Sequence, residues 1–118
     1  MDMLSIKSFN QIYFYRPYVD FRKGINGLSS IVQDEMNLNP FERNLFIFSN
    51  SNRNKLKALY WDTNGFALWI KYLIEDKYKW PVHYEDEIIK VNTKNLENFL
   101  IGFDPFQIPF KEKFYSKV

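Results

Sequence analysis

The sequence predicts a small α+β domain, a mostly antiparallel sheet of about five strands with two helices on one face. Three observations lead there. Short β-branched and aromatic runs recur along the chain, as at Ile12-Tyr13-Phe14-Tyr15 and Leu45-Phe46-Ile47-Phe48. Asn64-Gly65 stands between two apolar segments, a strong local signal for a hairpin. One long helical stripe, from Phe21 to Met36, interrupts the strands.

Taken in order, Ile12–Tyr15 reads as a strand, and Pro17 places it at a sheet edge or ends it, because proline cannot donate to a ladder. Phe21, Ile25, Leu28, Ile31, Val32 and Met36 then fall on one helical face. Asp20 or Asn26 is the expected cap, and Asn37 with Asn39-Pro40 the stop. Gly24 and Gly27 disfavour a helix interior, so Arg22-Lys23-Gly24 also reads as a loop with free amides ahead of the helix. Leu45–Phe48 is a buried strand, and Ser49 to Asn54 a polar turn.

Leu56–Trp61 and Phe66–Tyr72 flank Asp62-Thr63-Asn64-Gly65 as a hairpin, with a loop of two or three residues. Residues 66–74 also admit a helix, but their aromatic content favours a strand. Lys77-Tyr78-Lys79-Trp80 alternates polar with aromatic, as a half-buried strand ended by Pro81 would. Ile88–Val91 is a further strand. Thr93 is placed to cap a helix through Leu96, Phe99 and Leu100, with Gly102 as its left-handed stop. Residues 1–104 therefore form one domain. The extension 105–118, with Phe106, Ile108, Phe110 and Phe114, is expected to pack on the body, to be held by a partner or to stay free.

Composition narrows the function. The 118 residues suit one domain, and 19% aromatic content points to a core built from large rings. The absence of cysteine removes disulfides, thiolate zinc sites and a cysteine nucleophile. Net charge is only +2, yet residues 1–60 carry 8 Lys+Arg against 5 Asp+Glu, while residues 61–118 carry 8 against 9. A local positive field is thus compatible with a near-neutral chain. Met1 to Lys7 lacks the apolar run of a secretory signal, and no stretch approaches the ~18 apolar residues of a membrane span. A soluble, cytoplasmic protein with no membrane partner is the expectation.

The residues give no support to an enzyme. There is neither a Gly-Xaa-Ser-Xaa-Gly elbow nor a P-loop, so catalytic residues, metal ligands and cofactors are all expected to be none. His83, the sole histidine, stands among Glu85, Asp86 and Glu87 and reads as an ordinary residue beside solvated acids. Asp20, Asp62, Glu75 and Asp104 admit a carboxylate cluster, but Asp20 is better explained as a cap and Asp62 as a turn residue. Two other classes remain. Arg53, Lys55 and Lys57 lie on a turn and the strand leaving it, and Arg22 and Lys23 precede a helix start, where amides attract phosphate. Tyr60, Trp61 and Trp69 are candidates to stack on bases, though rings at strand spacing are more often core. The third class is protein docking through apolar surface, with Phe106, Ile108, Phe110 and Phe114 as candidates.

An ordered series of motifs adds a setting. Asp20-Phe21-Arg22-Lys23-Gly24-Ile25-Asn26-Gly27-Leu28 resembles the Asp-Met-Arg-Lys-Gly-Xaa-Xaa-Gly-Leu segment of the accessory second-reading-frame proteins (TnpB) of IS-sixty-six-type bacterial insertion sequences. The resemblance continues through Asn39-Pro40-Phe41, Leu45–Phe48, Lys55-Leu56-Lys57, Tyr60-Trp61-Asp62, Gly65-Phe66, Leu68-Trp69, Lys71 and Trp80-Pro81. It runs on, more weakly, to Gly102-Phe103-Asp104. It implies a non-catalytic role in transposition beside a larger transposase and a companion accessory protein. It also matches Arg22, Lys23, Arg53, Lys55 and Lys57 to basic positions of the family, which are taken as contacts to insertion-sequence DNA. Two departures accompany it. Ser51 and Asn52 replace arginines of the family's turn, and Lys71-Tyr72-Leu73-Ile74-Glu75-Asp76 trades cations for acids.

Overall fold

The computed structural model describes residues 6–106. A short 3-10 turn, Ile6–Ser8, leads into β1, Gln11–Tyr15. Helix α1, Ile25–Ser30, continues as a widened π turn over Ile31–Glu35. Strands β2 (Asn44–Ser49), β3 (Lys55–Asp62), β4 (Gly65–Tyr72) and β5 (Ile88–Val91) follow, and α2 (Thr93–Leu100) closes the regular structure. The five strands form one sheet in the order β4-β3-β2-β1-β5. Every neighbouring pair is antiparallel except β1 with β2. The α+β class is as the sequence predicts.

The helices, however, lie on opposite faces, which corrects the expectation of a single covered face. Ile12 and Phe14 of β1, Leu45 and Ile47 of β2, and Leu56 and Ala58 of β3 meet Leu96, Phe99 and Leu100 of α2. The alternate residues Tyr13, Tyr15, Phe46, Phe48 and Leu59 meet Leu28, Val32 and Met36 from α1 and its π turn. Side-chain alternation sends each strand's residues to two cores at once. All six residues of β2 are buried, as a strand covered on both faces requires. Leu28, Val32 and Met36 recur every four residues. The wider turn, marked by the Met36 N–H bonded to Ile31 O at 2.9 Å, keeps that spacing on one face.

The remaining differences concern ends and turns. Strand β1 is interior rather than an edge, and it stops at Tyr15, before Pro17. Gly24, not Asp20 or Asn26, occupies the cap position of α1, with no side-chain bond. Asn92, not Thr93, caps α2, its side chain accepting from the Asn95 N–H at 2.7 Å. At the far end Gly102 has φ +106, and the Phe103 and Gly102 amides bond Asn98 O and Phe99 O, the paired closure that a left-handed residue permits. The hairpin loop is the two-residue Thr63-Asn64, because Asp62 pairs with Gly65. Thr63 rather than Asn64 or Gly65 takes the positive φ, 54°.

Residues 77–80 form no strand. Tyr78 and Trp80 are buried and Lys77 and Lys79 exposed, so the alternation is real, but the segment packs on the α2-side core through its rings and joins no strand ladder. Phe14 stacks on Trp80 at 5.1 Å between centroids and meets Phe99 and Phe106 edge-on. Phe106, buried, extends this core past residue 104. The candidates Ile108, Phe110 and Phe114 lie outside the described residues.

Tyr78 lies stacked on Phe99 at 5.2 Å, and its hydroxyl has no hydrogen-bond partner among the described residues. Burial pushes its pKa up to about 12. An unsatisfied buried hydroxyl costs about 1–3 kcal/mol, so Tyr78→Phe is expected to leave the fold intact and raise its stability by about 1 kcal/mol in denaturant titration. A destabilised variant would show that the hydroxyl has a partner.

Candidate nucleic-acid interface

The five candidate cations divide by environment. Lys57 points from β3 to the α1 side of the sheet and is 7% exposed. Its ammonium donates to the carbonyls of Phe21 and Lys23, both at 2.8 Å, and lies 4.8 Å from the centroid of the Phe21 ring. Burial pushes its pKa below the usual lysine value, with Lys55 adding to the depression and Asp20 opposing it. Geometrically, this group is a strut for the segment before α1. Its donors are engaged with backbone, which takes it away from the phosphate-facing surface expected of it.

That strut sets the position of its neighbours. It holds the segment carrying Arg22 and Lys23 over β3, beside Lys55 on the same face. Lys55 is half-buried and its ammonium sits 5.0 Å from the centroid of the Tyr72 ring, opposite it in the β3–β4 ladder. Lys23 is exposed. Arg22, whose side chain is 92% exposed, is held by Asp20, with Nη2 2.6 Å from Oδ2 and Nε 3.1 and 3.0 Å from the two carboxylate oxygens. The Arg22 side chain and N–H together hold the Asp20 carboxyl down to about 2. The pair is therefore formed throughout the neutral range, and any stability it adds, present above the carboxyl's ordinary value, disappears as pH falls through about 2.

Arg53 stands apart. It takes φ +58 in the β2–β3 turn, where its carbonyl accepts the Tyr78 N–H at 2.7 Å. Asn50 organises that turn, its side-chain oxygen accepting from the Asn54 and Lys55 amides at 3.1 Å each. Beside it lies an open cleft of about 470 Å³. Arg53, Lys77 and Lys79 there face Glu75, Asp76 and Asp104, a balanced set with no net attraction for phosphate. Lys57 thus ties the Arg22–Lys23 segment to the face of β3 that Lys55 shares, and Arg53 lines another surface.

The other candidates have structural surroundings. His83 is exposed, its Nε2 3.1 Å from Phe106 O. Among the described residues no three Asp, Glu or His side chains converge as a metal site. Tyr60 is buried and Trp69 packs on the α2-side core. Trp61 is half-buried in an aromatic triad with Phe41 and Phe66, centroids 5.0–5.4 Å apart. Sequence reasoning missed Asp20 as the partner of Arg22, although the Asp-Phe-Arg spacing that allows it is visible. It also missed Phe21 and Tyr72 as the rings beneath the lysines.

Comparison with known proteins gives the setting. The family model described as IS66 Orf2 like protein matches residues 10–109. Two proteins of Sinorhizobium fredii are similar to the chain. The uncharacterized protein y4hO is 30% identical over 94 residues, covering 80% of this chain and 81% of its own length. The uncharacterized protein y4jC is 29% identical over 86 residues, 73% of each chain. No solved structure matches. Among the described residues no helix is long and apolar enough to cross a membrane. The ordered motifs, the two-faced sheet that presents them and a match over most of the sequence agree, and the chain belongs to the IS66 Orf2-like family.

Proposed function

We propose that the protein is a non-catalytic accessory factor of insertion-sequence transposition that grips the phosphate backbone of element DNA with Arg22, Lys23 and Lys55. Lys57 acts from beneath as a support, and Arg53, in its charge-balanced cleft, takes no part in the contact. The observation that carries this reading is the Lys57 ammonium bonded to two carbonyls of the Arg22–Lys23 segment, which holds exposed cations beside Lys55. Such contact is independent of base sequence and salt-sensitive, with a log–log slope of about −0.9 per phosphate on duplex DNA. Three cations correspond to a slope of about −3.

A second reading has one observation in its favour. Ile101 and Phe103, just beyond α2, are 73% and 63% exposed, an apolar surface suited to an adaptor for the transposase or the companion accessory protein. Binding of that kind would be nearly insensitive to salt.

Three outcomes test the DNA reading. Reversing Lys23 and Lys55 to Glu together is expected to abolish retention of duplex DNA in a gel-shift assay with the circular dichroism spectrum unchanged. Unaltered retention, or none by the unmodified chain at low salt, would reject it. Asp20→Asn removes the carboxylate that partly neutralises Arg22, so it should tighten binding. Lys57→Met leaves two carbonyls without their charged donor. It should lower stability by about 1–3 kcal/mol in thermal melts and speed proteolysis near residues 20–24.

A further inference from the structure

Of the two sheet edges, only one carries the devices that natural proteins use to prevent strand addition. Strand β5 is four residues long and carries Lys90. Strand β4 is eight residues long, with no proline and an uninterrupted register from Asp62↔Gly65 to Lys55↔Tyr72. Its only charge, Lys71, is drawn off to Leu100 O at 3.3 Å. A long apolar edge without bulge, proline or free lysine is an open template for another strand.

The polarity of that edge follows from the ladder. Leu73 N–H donates to Asn54 O, so the odd-numbered residues of β4 bond β3. The even-numbered Phe66, Leu68, Ile70 and Tyr72 turn their N–H and C=O groups outward. Side chains continue the same surface. Ile70, Tyr72 and Ile74 are 56%, 54% and 82% exposed, and Phe41, packed on Phe66, is 55% exposed.

We infer that β4 pairs antiparallel with β4 of a second copy of this chain, joining two five-stranded sheets into one. Charge placement selects this occupant and this direction. The hairpin end of β4 lies beside Asp62, with Glu42 next to the Phe41 that packs there and Arg43 turned back onto Trp61 O and Ser8. The other end carries Lys55 and Lys71, while the Glu75 and Asp76 that follow β4 line the cleft with Arg53, Lys77 and Lys79. A two-fold axis brings the acidic end of one copy to the basic end of the other. Parallel pairing would set Lys71 near Lys71 and Asp62 near Asp62. The interface is isologous, so both partners contribute identical outward amides and the same exposed Ile70 and Tyr72. The inference stands apart from the DNA reading, and its test involves no nucleic acid.

Sedimentation equilibrium of the full chain over a concentration series is expected to show a monomer–dimer equilibrium. Ile70→Pro removes an outward N–H that the monomer does not use, which edge strands tolerate, and should give a monomer with the parent's circular dichroism spectrum. If that variant fails to fold, Ile70→Lys, the guard natural edges employ, should also be monomeric. A chain that stays monomeric throughout the series would overturn the inference. A dimer that persists in a folded Ile70→Pro or Ile70→Lys variant would overturn it equally.

Discussion

Everything in this fold follows from a sheet whose central strands are apolar on both faces. β1 contributes Ile12 and Phe14 to one side and Tyr13 and Tyr15 to the other, and β2 does the same with Leu45 and Ile47 against Phe46 and Phe48. Neither side can be left wet, so the chain needs two covering layers. Helix α1 with its π turn covers one. Helix α2 is too short to cover the other alone, and Tyr78, Trp80 and Phe106 complete it. The 19% aromatic content has its reason here, since each ring removes about 150–250 Å² from water without the length of a third helix.

Covering layers also determine what the surface can do. Irregular segments must satisfy their backbone groups by other means than a ladder. Lys57 does this before α1, and Arg16 does it on the opposite side, donating to Asp86 O and Glu85 O at 2.8 and 3.0 Å. Arg43 is similarly engaged, with Ser8 Oγ at 3.0 Å and the Phe9 ring 5.0 Å away. A cation in the sequence is therefore not a cation on the surface. The family pattern identifies basic positions, and the local packing sorts them into those that hold backbone and those that face solvent.

The sequence made the strands legible wherever hydrophobic runs were long, and the hairpin legible through its turn. Leu45–Phe48 reads as buried because nothing polar interrupts it. The segment 77–80 misled because its alternation is that of a strand, while Pro81 ends it and its Tyr78 amide is taken by Arg53 O of a turn rather than by a neighbouring strand. The two-sided core was not legible. It rests on β1 standing between β2 and β5, a pairing between segments far apart in the chain. At the candidate site, the nearness of Arg22 and Lys23 to Lys55 needed the Lys57 strut, for which no local pattern exists. The ring beneath Lys55 was closer to hand, since a two-residue loop at Thr63-Asn64 places Tyr72 opposite it by counting.

Strand β1 is bound on both sides, to β2 from Gln11↔Asn44 onward and to β5 through Ile12↔Val91. Adding or deleting a single residue within it would shift two ladders at once and exchange Ile12 and Phe14 for the tyrosines in each core. Evolution of chain length is thereby confined to the connections, such as 37–43 and 82–87, where extra residues leave every register untouched. Relatives that differ in length should thus differ there, with the five residues of β1 constant in number.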